Sequence, residues 1–364
     1  MTPNDPALQV LIDRVHSARA AGAQLCIRGG GTKDFYGEIP QGELLDTRVL
    51  EGTSSYEPTE LVVTTRCGTS LAGLEAVLAK EGQCLPFEPP HFAHGTTVGG
   101  MIAAGLSGPS RAAVGSVRDH VLGATLLNGK GEVMTFGGQV MKNVAGYDVS
   151  RLLAGSLGTL GVILEVSLKV LPMAPATLTL RMEMDQARAI AQLNAWGGQP
   201  LPLNASAWWD GNLILRLRGA LAAVQAARTT IGGQVVEPQF ASPFWLGLRD
   251  HTDEFFTSAH AAVAGGASLW RLSLPSTAPP LAVSGELLIE WGGAQRWLCS
   301  AMPATAVRDA AARAGGHATL FAALDKSPGA FAPLQSPLDR IHRELKKAFD
   351  PSGIFNPGRL YPGL

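Results

Sequence analysis

Thr96-Thr97-Val98-Gly99-Gly100-Met101-Ile102-Ala103-Ala104-Gly105-Leu106-Ser107-Gly108-Pro109-Ser110-Arg111 gathers residues with little or no side chain into one segment. Ala103, Ala104, Gly105 and Gly108 leave room for a large flat ligand to lie against the backbone. The surroundings are glycine-rich as well. Fifteen of the 67 residues from Gly95 to Gly161 are glycine, about three times the usual share of about 7%. Further on, Gly115-Ser116-Val117-Arg118-Asp119 leads into an apolar run from Val121 to Leu127. Gly155-Ser156-Leu157-Gly158-Thr159-Leu160-Gly161 then spaces glycines three apart, ahead of an alternating strand pattern from Gly161 to Val170. No single cluster is specific; the set in this order is.

Upstream, Ile27-Arg28-Gly29-Gly30-Gly31-Thr32-Lys33 follows a short apolar strand pattern, Leu25 to Arg28. Consecutive glycines permit positive φ, and successive N–H groups can converge into an anion-binding nest. Thr32 adds a hydroxyl, and Arg28 and Lys33 add positive charge, a set that suits a pyrophosphate. Taken alone, the triple glycine is equally a plain tight turn. Two familiar phosphate loops are absent. The stretch Gly123 to Lys130 has one residue too many for a Walker A loop. Asp34 stands where a Rossmann fingerprint needs its third glycine, and no helix pattern opens there.

The 364 residues suggest two domains. Hydrophobic residues make up 46% and charged residues 16%, below the usual charged share of about 25%. This is a globular composition in which a partner covers some surface, or one that simply favours Ala and Gly. A net charge of −1, with no basic stripe, argues against nucleic acid. The start, Met1 to Pro6, has no secretory pattern. The stretch Val98 to Leu106 falls short of the roughly 20 apolar residues of a membrane span. Cys26, Cys67, Cys84 and Cys299 are not spaced for metal and read as reduced thiols, and their spacing argues against an iron–sulfur cluster on this chain alone.

Leu8, Leu11, Ile12 and Val15 have helical spacing; Leu61 to Arg66 reads as a strand; Leu71, Leu74, Val77 and Leu78 line a helix capped by Thr69 or Ser70 and closed by Gly82. Pro172 and Pro175 break the chain. Beyond them strand patterns (177–184, 270–274, 286–291, 295–300) and helical ones (220–230, 304–314) describe a second α+β unit. At the tail, Ser336 is expected to cap a helix with Pro337 at N1 and Asp339 completing a capping box, and Leu338, Ile341, Leu345 and Phe349 to face inward.

In family order, IRGGGTK, TVGGMIA, GSVRDHVLG, GTLGVI and the tail FDPSGIFNPGR resemble the FAD-binding fold of the vanillyl-alcohol-oxidase or PCMH type. The resemblance implies an α+β protein. A PCMH-type FAD-binding domain of two α/β subdomains spans residues 1–172. A second α+β domain, a substrate cap or subunit interface, spans 173–330, and a C-terminal segment, 331–364, returns to the flavin. It further implies that Arg28, Gly29, Gly30, Gly31, Thr32 and Lys33 bind the FAD pyrophosphate and that Thr97, Gly99 and Gly100 line pyrophosphate and flavin. Ser116 and Asp119 would lie at the phosphate and ribose side. Val162 and Ile163 would meet the adenine half through their backbone, and Asn356 and Arg359 would approach the isoalloxazine. Gly31 holds the place of the histidine that anchors flavin in covalently linked members, so FAD is expected to be non-covalent. His91 and His94, nearby, are flavin or metal contacts or ordinary loop histidines.

The second half (PFWLGLR at 243–249, LWRLSLP at 269–275, EWGGAQRWL at 290–298) is similar to E-type subunits of bacterial glycolate oxidases. In such complexes E-type and D-type flavin subunits join an iron–sulfur F-type subunit, glycolate is oxidised to glyoxylate, and electrons pass towards quinone. A cytoplasmic location follows, with peripheral association at the inner face of the membrane only through the complex.

Oxidising a 2-hydroxy acid needs a cation for the carboxylate, a base for the hydroxyl proton and a hydride acceptor. Where D-type relatives carry a histidine-rich segment, this chain reads Gly315-Gly316-His317-Ala318-Thr319-Leu320-Phe321, with one histidine. Arg249 and Arg271 are candidates for the carboxylate, and His251 and His317 for the base; each is otherwise structural. No metal ligand set stands out. Trp208, Trp209, Trp245 and Trp270 suit a subunit contact or a core. Three readings stand: an accessory FAD subunit, a stand-alone 2-hydroxy-acid dehydrogenase, and a non-catalytic assembly module.

Overall fold

A computed structural model describes residues 5–138 and 148–364. It divides into two units: 1–106, 116–172 and 333–364 in the first, 107–115 and 173–332 in the second.

The first unit opens with the helix Pro6–Ala21. Asp5 caps it, its carboxylate accepting from the Ala7 and Leu8 amides, and Gly22 ends it with φ 65°. Its stripe of Leu8, Leu11, Val15 and Ala18 is buried against Leu25, Leu45, Leu127, Val162, Leu164, Ile354 and Phe355. Those partners come from five separate stretches of sequence, so burying this stripe draws the unit together. The strand Leu25–Arg28 pairs in parallel with Glu43–Asp46. A five-stranded sheet runs in the order Thr53–Glu57, Val62–Arg66, Val162–Lys169, Val121–Leu127, Val133–Gly137, antiparallel throughout. The helix Leu71–Lys80 is capped by Ser70 and buries Leu71, Leu74 and Leu78.

The C-terminal residues belong to this first unit. Their helix, Leu338–Phe349, departs from the expected cap and face. Pro337 holds the cap position and no side chain bonds the first amides, so Ser336 lies one residue too early to cap. Leu338 is 53% exposed and Ile341 51%. Lys346 is the buried residue instead; its ion pair with Asp350 turns another edge of the helix inward.

The second unit is built on an eight-stranded antiparallel sheet. Its order is Gln234–Val236, Ala176–Glu183, Asn212–Gly219, Leu203–Trp209, Glu286–Glu290, Gln295–Ser300, Ser268–Ser273, His317–Ala322. Leu213, Leu215 and Leu217 alternate onto one face and pack with Trp196 and Val224 from two helices. Trp270, Leu272, Leu298 and Leu320 do the same with Val307 and Ala311. Ser107–Gly115 joins this unit because Trp291 donates to the Gly108 carbonyl at 3.1 Å and Arg111 lies over the Trp291 ring at 4.6 Å. Trp245 and Trp270 are core residues, 5% and 1% exposed, whereas Trp208 and Trp209 are half-buried. The four cysteines are free thiols.

Candidate cofactor site

Within the first unit a cleft open to solvent is lined by Arg28, Gly29, Gly30, Gly31, Thr32, Lys33, Thr97, Gly99, Gly100, Ile163, Asn356 and Arg359. All twelve are residues singled out in the sequence. Cys26, Asp34, Thr47, Ala103, Leu157 and Gly158 are among those that complete it.

The glycine loop supplies donors. Of its three glycines only Gly31 has a left-handed φ, 72°. Among the described residues, the Gly30, Gly31 and Thr32 amides have no main-chain hydrogen bond. Main-chain amides are strong donors that demand a partner, and three in sequence beside a cleft suit the oxygens of a pyrophosphate. The neighbouring helix Val98–Ala104 offers none: the Val98 and Gly99 amides donate to the Thr69 and Cys67 carbonyls, and the Gly100 amide donates to Thr97 Oγ1 at 3.2 Å. That helix contributes space. Gly99, Gly100, Ala103 and Ala104 all line the cleft, and their i, i+1, i+4, i+5 spacing sets them on one helix face. A planar ring system fits such a wall.

The cations are not equivalent. Arg28 is engaged by Asp34, Nη2 to Oδ2 at 2.6 Å, which raises its pKa and turns its charge towards a carboxylate. Lys33 is 9% exposed, with Nζ 5.3 Å above the Phe92 ring. Arg359 is 6% exposed; Nη2 donates to the Lys33 and Asp34 carbonyls at 3.2 and 3.0 Å, and Nη1 is buried without a hydrogen-bond partner. Burial lowers its pKa, opposed by Asp34. The residue lines the cleft, and a buried donor without a partner is a group that a ligand oxygen would satisfy. The Cys26 thiol is pushed up by burial and then by Asp34, so it is held as the neutral, unreactive form.

Three expected residues lie off this cleft. Val162 pairs with Leu127 in the sheet and is fully buried in the core. Ser116 and Asp119 form a capping box on the short helix Val117–His120: the Asp119 carboxylate accepts from the Ser116 amide at 2.8 Å and hydroxyl at 2.7 Å. Burial raises the Asp119 pKa, but those bonds outweigh it and the net shift is downward. The His91 ring is bonded to Glu75 at 2.9 Å. Among the described residues no group of three or more His, Cys, Asp or Glu could hold a metal ion, and no helix is long and apolar enough to cross a membrane.

The expected catalytic residues lie in the second unit. Arg249 is paired with its neighbour Asp250 at 2.7 Å. His251 is 8% exposed, stacked on Phe256 with ring centroids 3.6 Å apart and set edge-on to Trp297 at 4.7 Å. Burial, then His260 and Arg271, holds its pKa well below the usual range. His317 opens an edge strand, its pKa lowered by partial burial and by Arg271. The fold thus brings His251 and His317 within the electrostatic reach of Arg271. Arg249 is occupied elsewhere.

Comparison with known proteins accords with this site. An FAD binding domain model matches residues 8–137, which hold the glycine loop and the small-residue helix. Glycolate oxidase subunit GlcE of Escherichia coli is 47% identical over 356 residues, 98% of each chain. D-lactate dehydrogenase of Anaerostipes hadrus is 31% identical over 161 residues, 44% of this chain and 32% of that protein. Glycolate oxidase subunit GlcD of Bacillus subtilis is 31% identical over 168 residues, 45% of this chain and 35% of that protein. The solved structure of an alkyldihydroxyacetonephosphate synthase superposes with a TM-score of 0.62 at 16% identity, over 96% of this chain and 75% of that one, a likeness of fold. The near-complete match to GlcE places the chain in that family, as an FAD-binding flavoprotein of the glycolate oxidase subunit GlcE type.

Proposed function

We propose that the chain is the E-type FAD subunit of a glycolate-oxidising complex, and that it works with a D-type flavin subunit and an iron–sulfur F-type subunit. FAD, bound non-covalently, would supply hydride acceptance. The Gly30–Thr32 amides would hold its phosphates, the Gly99–Ala104 stripe would seat its flat part, and Arg359 would satisfy an oxygen of the cofactor. The carrying observation is the cleft itself, with open amides, a side-chain-poor wall and one unmet guanidinium donor. The relatives named for glycolate and D-lactate oxidation support a 2-hydroxy acid as substrate.

An accessory role within the complex agrees best with the second unit. Its candidate carboxylate-binding Arg249 is paired and its candidate base His251 is packed among aromatic rings. Rapid mixing with glycolate tests this. The isolated chain is expected to reduce its flavin slowly or not at all, and the assembled complex rapidly. Fast reduction of the isolated chain would overturn the accessory role and favour a stand-alone dehydrogenase.

A further inference from the structure

Asn356 is 6% exposed, and both the oxygen and the nitrogen of its side-chain amide bond to the protein. Oδ1 accepts from the Ile27 amide at 2.6 Å, and Nδ2 donates to the Leu157 carbonyl at 2.6 Å. Its main-chain amide donates to the Leu25 carbonyl at 2.9 Å, the Leu25 amide donates to the Ile354 carbonyl at 2.7 Å, and Phe355 bridges Leu25 in parallel. Residues 354–356 therefore lie along the strand that feeds the glycine loop. Leu157 and Gly158 form another stretch of the cleft wall. The fit there is close: Gly158 has φ 73°, and a Cβ on it would come within 2.6 Å of Asn356 Nδ2.

The tail is held in turn by a buried ammonium. Lys346 Nζ donates to Asp350 at 2.7 Å, to the Thr159 carbonyl at 2.8 Å and to the Phe355 carbonyl at 2.6 Å. Asp350 also accepts from the Ile354 and Phe355 amides at 3.1 and 2.8 Å. Lys346 thus ties the tail to the same glycine-rich corner that Asn356 reaches.

We propose that Asn356 is a positioning residue for the cleft. It fixes the strand carrying Ile27 against the Leu157–Gly158 corner, and so sets the shape of the cleft; the Lys346–Asp350 pair delivers it there. The inference rests on the FAD reading above. By linkage, FAD binding and docking of the tail stabilise each other.

Asn356→Asp in the full chain tests the assignment. The variant keeps the size and the acceptor for Ile27, but when ionised it sets a carboxylate oxygen against the Leu157 carbonyl. FAD titration followed by fluorescence is expected to show affinity weakened about tenfold near pH 8, the loss of one hydrogen bond at a buried site. Near pH 4, close to the ordinary aspartate value, a protonated acid can donate as the amide did, so affinity is expected to recover in part. Cys26, Arg28, Asp34 and Arg359 line the same cleft as residue 356, and Lys346 and Asp350 hold the adjoining residues 354 and 355. All are present in the wild type, so the ratio of the two affinities at each pH isolates position 356.

Hydrogen exchange of the cofactor-free protein gives a second readout. Asn356→Ala is expected to speed exchange at the Ile27 amide while Val121–Leu127 and Val162–Lys169 stay protected. Wild-type affinity for Asn356→Asp near pH 8, or a loss that persists unchanged near pH 4, overturns the positioning role. So does an Ile27 amide that exchanges no faster in Asn356→Ala. A wild-type chain that binds no FAD overturns the cofactor reading instead, and the exchange result then decides the Asn356 assignment alone.

Discussion

The glycine cleft of the first unit and the His251–Arg271 region of the second make their polar groups in opposite ways. In the cleft the donors are main-chain amides, and their placement depends on the absence of side chains. In the second unit the polar groups are side chains, and packing has absorbed most of them. His251 is stacked on Phe256 and set against Trp297, and Arg249 is paired with Asp250. Chemistry carried by backbone survives burial because the amide is present at every residue and costs no rotamer entropy to aim. Chemistry carried by a lone histidine or arginine survives only if the fold leaves it a cavity.

The most severe way to break the first region is to unpair its anchor. Asp350→Ala leaves the Lys346 ammonium buried and strips acceptors from two amides, so a loss of about 3–5 kcal/mol is expected in urea unfolding. The second region is sharpened by Asp253, which caps the helix Glu254–Ala264 and whose pKa burial pushes up to about 6. The folded protein holds a proton there that the unfolded chain, near 3.9, has lost. Stability from this group is therefore present below about pH 4 and lost as pH rises through about 6. Asparagine caps as well without the charge. Asp253→Asn should match the wild type near pH 4 and exceed it by about 2–3 kcal/mol near pH 7, measured by thermal unfolding at both.

Thr97→Ala removes the cap of the small-residue helix and should cost about 1 kcal/mol, visible in the unfolding midpoint of the cofactor-free chain. The smallest effect is a difference of differences. His251 is neutral when folded and gains a proton on unfolding as pH falls below its usual value, so it destabilises the wild type in acid. The cost of His251→Phe should accordingly be smaller near pH 5 than near pH 8. An equal cost at both would show that His251 is not desolvated, and would reopen its case as a base.

The loops that line the cleft were legible in the sequence because their pattern is local. Three glycines after a strand, and small residues spaced i, i+1, i+4, i+5, carry their meaning within a few residues. Long-range pairing was not legible. Nothing local announces that Thr47, following the strand Glu43–Asp46, lines the same cleft, or that Asp34 occupies Arg28. The tail helix misled for a related reason. Its apolar positions suggest an inward face, yet the three carbonyl and carboxylate acceptors waiting for Lys346 decide its orientation. Ser116 and Asp119 form a capping box, a local motif that spacing alone does not separate from a ligand contact. His317 belongs to an edge strand of the eight-stranded sheet, which the depleted histidine pattern alone did not indicate.

The central claim is tested most directly by counting flavin. The purified full chain, denatured by heat, is expected to release about one FAD per chain into solution, identified by its fluorescence after phosphodiesterase treatment. A folded chain that is colourless and shows no saturable binding of added FAD would contradict the account.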